Sequence, residues 1–144
     1  MPTLSNATFV AGGTINPCRF VTMVPLLYSG TTTPSADFTV WPATAGTSSK
    51  GDRVIGVSQE GTGLWSTSTA AVAGDQLRVF GPGEVALVEC GGTVTAGAWV
   101  KSDANGKAVV ASADEDFVGG IALQAGADGT KIQIYIHPIT WQAQ

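Results

Sequence analysis

Charge is scarce in this chain. Seven Lys and Arg and eleven Asp and Glu make up 12% of its 144 residues, about half the usual share for a soluble domain. No Lys/Arg cluster occurs and the net charge is −4. The basic footprint that neutralises phosphates is therefore missing, and nucleic acid is set aside as a partner. A single histidine, His137, excludes histidine-based metal clusters. Two cysteines, Cys18 and Cys90, are too few for a disulfide framework. Two buried thiols are the first expectation for them, and one bridge is the alternative. No stretch approaches the roughly eighteen apolar residues of a membrane span. The start, "MPTLSNATFVAGG", lacks the charged opening and long apolar run of a secretory leader, so none is expected. Helical signals are nearly missing too: "WSTSTAAVA" from Trp65 is free of strong breakers but is short and stops at Gly74.

What the chain has instead is 44% apolar residues, 19 glycines and 7 prolines, a composition too hydrophobic and too weakly charged for disorder. Short β-branched or aromatic runs recur between Gly, Pro, Asn and Asp clusters. They cover Pro17 to Tyr28, Phe38 to Trp41, Arg53 to Ser58, Gln76 to Phe80, Val85 to Glu89, Trp99 to Ser102, Lys107 to Ala111, Gly119 to Leu123 and Lys131 to His137. A rhythm of about ten residues per run is that of an all-β sandwich or barrel. The expected fold is all-β: a small β-barrel or β-sandwich with hairpins and an extended N-terminal arm. Residues 1–20 form the arm or a first strand, and residues 21–144 a single β domain.

One phrase repeats at intervals of 23 residues, as "KGDRVIGV" from Lys50, "AGDQLRVF" from Ala73 and "AGAWVKSD" from Ala96. Each copy turns on a Gly and then alternates as a strand. Recurring turn chemistry explains it better than a solenoid, because the carboxylates of Asp52 and Asp75 suit the amides of their own turns. Asn105-Gly106 predicts a type I′ hairpin, and Asp128-Gly129 a second reversal. The last strand, "KIQIYIHPI", places Ile132, Ile134 and Ile136 on one face and Gln133, Tyr135 and His137 on the other. Pro138 is expected to end its pairing, having no N–H to give.

Candidates for chemistry are few. His137 lies on a polar strand face with no recognisable nucleophile motif nearby, so an exposed or interface histidine is expected rather than a catalytic one. "ADEDF" (Asp114, Glu115, Asp116) lacks the alternate-position spacing of a calcium loop and reads as a solvated loop. "GTGLW", "FGPGE" and "ECGGTV" match no phosphate loop and read as tight turns. No catalytic residue, cofactor or metal ligand is expected. Of the tryptophans, Trp99 reads as core. Trp41, Trp65 and Trp141 read as partly exposed, suited to a protein interface, with ordinary core or a carbohydrate-stacking platform as alternatives.

Three stretches together, "KGDRVIGVSQEG", "VAGDQLRVFGPGEVALVECGGTVTAGAWVKSDANGKAVVAS" and "VGGIALQAGADGTKIQIYI", resemble the capsid decoration (cement) proteins of tailed bacteriophages. The resemblance runs from about residue 50 to residue 137 and consists of turn and strand signatures. It implies a non-enzymatic protein, often a homotrimer, on the outer surface of the virion. There it would bind the expanded head and clamp neighbouring subunits of the major capsid protein. An N-terminal arm is implied as well; Met1 to Gly13 reads as that arm or as a frayed terminus, and Thr3, Leu4 and Phe9 join Trp41, Trp65 and Trp141 as expected partner contacts. A host-surface or carbohydrate-binding module of a head fibre or tail is the competing class.

Overall fold

The computed structural model describes residues 9–23, 38–44, 53–58, 70–112 and 116–140. They form eleven strands in two sheets and no helix, so the protein is all-β. The strands are β1 (Phe9–Ala11), β2 (Phe20–Thr22), β3 (Thr39–Pro42), β4 (Gly56–Ser58), β5 (Gln76–Leu77), β6 (Val79–Phe80), β7 (Val85–Glu89), β8 (Trp99–Ser102), β9 (Ala108–Val110), β10 (Phe117–Ala122) and β11 (Lys131–Thr140). Residues 9–20, within the segment read as an arm or first strand, supply β1 and the first residue of β2.

The first sheet runs β5-β1-β3-β2-β4-β6. Its two outer strands are halves of one run, Gln76 to Phe80, interrupted only at Arg78. Leu77 pairs with Phe9 while Val79 pairs with Ser58, so the sheet closes on itself as a small barrel. Alternation explains its filling. Phe9, Ala11, Val21, Val40, Leu77 and Val79 pack with Ile15 and Ala71 into one apolar cluster, while Arg78 between Leu77 and Val79 is exposed. A barrel this small has room inside for side chains only.

The second sheet runs β7-β11-β10-β8-β9 and is antiparallel throughout. It curls until the residue after β7, Cys90, bridges Ala108 of β9. Ile132, Ile134 and Ile136 line its concave face with Val88, Val100 and Ala122, and the barrel's outer wall fills the rest with Phe20, Val54 and Val57. Phe20 is the knob of this joint. Its ring lies so close over Gly119 that a Cβ there would come within 2.5 Å of it, and its N–H donates to the Gly106 carbonyl at 2.9 Å.

The glycine turns share one geometry. In 72–75, 81–84, 95–98 and 127–130 the fourth residue's N–H donates to the first residue's carbonyl. The third residue in each is a glycine with φ between 83° and 92°. That is the type II pattern, in which a side chain at the third position would be strained. Each of these glycines also donates its N–H across to another strand: Gly74 to Ala11, Gly83 to Ile136, Gly97 to Ala122 and Gly129 to Cys90. The Asp75 carboxylate accepts from Val72 N at 3.0 Å, as its position in the repeat implies, and Glu84 does the same for Gly81 N at 3.2 Å. Asp52 lies outside the described residues.

Two expectations are corrected. At 103–107 only Gly106 has positive φ, so the hairpin is a three-residue loop closed by a glycine bulge rather than a type I′ turn. The Asp103 carboxylate selects it by accepting from both Asn105 N and Lys107 N, at 2.7 and 2.9 Å. Nor does Pro138 end β11. Pairing resumes beyond it at Ile139 opposite Val118, because a register shift between Val118 and Gly120 places Pro138 in a bulge where no N–H is required.

Truncating the joint is expected to loosen both halves together. Phe20→Ala should lower unfolding free energy by about 3–5 kcal/mol in a denaturant titration, with the signals of Trp41 and Trp99, one in each sheet, shifting in parallel. Separate transitions for the two tryptophans would show that the barrel and the second sheet do not share this core.

Candidate interaction surface

Strand alternation gives the second sheet a second, outward face that carries an apolar strip. Val85 pairs with Tyr135, Tyr135 with Ile121, and Ile121 with Trp99, so one row crosses four strands. Leu87 and Leu123 stand in the next row. Val85 and Leu123 are each 48% exposed and Tyr135 is 39% exposed. His137 continues the face, with its ring 5.9 Å from that of Trp99 and 6.4 Å from that of Tyr135, stacked on the latter at 21° between planes. The single histidine thus faces two aromatic rings.

Trp99 was expected in the core and instead lies half-buried on this outer face. The core positions of β8 are its neighbours Val100 and Ser102, which the sequence pattern does not separate from Trp99 and Lys101. Phe9, expected as a partner contact, is 3% exposed inside the barrel and has almost no surface to offer one. Its neighbour Phe38, overlooked in the sequence, meets it edge-on at 5.9 Å and is 57% exposed. Trp41 is half-buried, with one side of its indole pressed on the backbone of Gly12. Thr3, Leu4, Trp65 and Trp141 lie outside the described residues.

Ionic groups gather on the seam between the two halves. Glu89 meets Arg19 at 3.1 Å and Lys107 at 3.0 Å, and Arg19 also donates to the Asn105 carbonyl at 3.0 Å. Partial burial pushes the Glu89 carboxyl up, but the hydrogen bond from Lys107 and the charges of Arg19, Lys107 and Lys131 outweigh it. The carboxyl is held below its ordinary value of 4.5. Burial and the nearby Asp128 and Glu89 push the Cys90 thiol up, away from thiolate chemistry; it and Cys18 are both buried. Asp116 corrects the solvated-loop reading of "ADEDF". It is buried, pairs with Lys101 at 3.1 Å and accepts from Ser112 N at 3.0 Å. Asp114 and Glu115 lie outside the described residues. Among the described residues no three His, Cys, Asp or Glu side chains group as metal ligands.

Taken together, fold and surface define an all-β protein of two packed, curled sheets with an apolar outer strip. No protein-family model matches the chain, and no curated protein matches it. A solved structure with a similar fold is the N base of the head fibre gp8.5 of bacteriophage phi29. The likeness has a TM-score of 0.55 at 15% identity and covers 96% of each chain.

The seam makes stability pH-dependent. Because the folded Glu89 carboxyl lies below 4.5, its contribution is present above that value and is lost as pH falls through the folded one. Glu89→Gln should therefore lower Tm near pH 6, and the gap from wild type should close as pH drops from about 4.5 toward 3. A gap that stays constant across that range would remove Glu89 from the acid response.

Proposed function

We propose that this chain is a non-enzymatic structural protein of a bacteriophage virion, seated on the outer surface of the capsid and bound to the major capsid protein. The observation that carries this reading is the fold likeness to the base of a phage head fibre, which spans 96% of both chains. As a decoration protein it clamps neighbouring capsid subunits, and it does so as a homotrimer. The low charge and the apolar strip from Val85 to Trp99 suit a surface that works packed against others. On a lattice each modest contact counts, because binding at one subunit raises the effective concentration at the next. Preference for the expanded shell then stabilises it by mass action.

Quantitative mass spectrometry of purified virions should give a copy number equal to the major capsid protein or a fixed simple fraction of it. Leu123→Asp and Val85→Asp, both at exposed positions, should reduce occupancy on stripped heads by about tenfold while leaving Tm unchanged. Absence of the protein from particles would overturn the reading. Full occupancy by both variants would move the contact off this strip.

The clustered rings of Trp99, His137 and Tyr135 favour one other reading, a host-surface module that stacks on pyranose rings. A glycan array in which wild type binds and Trp99→Ala and Tyr135→Ala do not would establish it, and silence across the array would reject it.

A further inference from the structure

A second feature lies apart from the apolar strip. Where β10 and β11 change register, a groove of about 310 Å³ opens between Arg53, Val54, Phe117, Val118, Pro138 and Ile139. Its origin is the bulge. Gly119 faces both His137 and Pro138 while β8 shifts register at the same place, and Pro138 has no N–H with which to continue the ladder. Five of the six lining side chains are apolar. The sixth, Arg53, sets its guanidinium 5.2 Å from the centre of the Phe117 ring.

That contact seats the guanidinium of Arg53 beside the ring. A guanidinium can make a two-pronged bond to a carboxylate. Among the described residues the ion pairs are formed by Arg19, Lys101 and Lys107, and no described carboxylate pairs with Arg53. The groove thus presents one positive charge beside an apolar wall. Its volume is at the lower limit of small-molecule pockets, roughly 300 Å³, and holds one or two side chains. A single orienting polar group is few for a free ligand. One guanidinium in apolar surroundings also matches the single charge of a carboxylate better than a phosphate, which carries up to two charges and more bound water.

We propose that this groove docks an extended segment of a protein partner, taking an acidic side chain on Arg53 and the apolar side chain next to it against Phe117, Pro138 and Ile139. The site stands on its own geometry and does not require the virion reading. The test uses the full chain, labelled with nitrogen-15 and titrated with a blocked pentapeptide that has a central glutamate between two leucines. The same peptide with glutamine serves as control. Shifts should concentrate at the amides of Val54, Phe117, Val118 and Ile139, and the glutamate peptide should bind about tenfold tighter than its control. Arg53→Gln should abolish that difference with Tm unchanged, and Arg53→Lys should keep the preference but weaken it, since lysine has no planar fork. Equal affinity for the two peptides, or shifts confined to other surfaces, would overturn the proposal. Binding of 4-phenylbutyrate as tight as the glutamate peptide would overturn it too, in favour of a small-molecule pocket.

Discussion

The seating of one ring, Phe20, on the bare backbone of Gly119 is the contact from which the rest of the structure follows. Phe20 belongs to the barrel by its strand and to the second sheet by its side chain, because its neighbour Val21 points the other way into the barrel interior. The close approach requires a residue without Cβ at 119. The backbone there is also where β10 slips by a residue against both of its neighbours. Arg19 is carried by the same segment to Glu89, and the chain before it delivers the Cys18 carbonyl to Glu89 N at 3.0 Å. Core, seam and bulge are thus parts of one junction.

Much of this fold is legible in the sequence at the level of single strands. Val85–Glu89 and Trp99–Ser102 coincide with their runs, and the alternation of Ile132, Ile134 and Ile136 names the buried face of β11. Partners are not legible. Gln76 to Phe80 reads as one strand, yet it divides at Arg78 into β5 and β6, which serve two opposite edges. Nothing local distinguishes pairing with Phe9 from pairing with Ser58. The parallel pair of β1 and β3 is likewise set by closure of the barrel and by no turn between them. At Asn105-Gly106 the dipeptide fits two hairpin geometries, and the carboxylate two residues upstream decides between them.

The outer apolar strip is less legible in the sequence than the fold, and for a physical reason. A strand with apolar residues on both faces does not declare which face is inward. β8 alternates Trp99 and Lys101 against Val100 and Ser102, and a tryptophan in such a strand pattern reads as core. The structure instead turns Val100 and Ser102 to the buried face and leaves Trp99 half-buried on the outer one. The groove at Arg53 and Phe117 has no signature at all, because its walls come from three distant segments brought together by the bulge. Tyr135 and His137, by contrast, lie where the strict alternation of β11 put them.

Closure of the barrel has a consequence for a protein proposed to work in dense arrays. An open sheet edge offers a row of unpaired N–H and C=O groups, and identical chains held side by side template cross-strand aggregation through such rows. In this molecule the two ends of the first sheet are halves of one run, Gln76 to Phe80, and the second sheet is bridged between Cys90 and Ala108. A chain with so little charge has little repulsion to hold copies apart. Closing the first sheet and bridging the second leaves fewer such rows open among the described strands, which helps crowded copies stay separate.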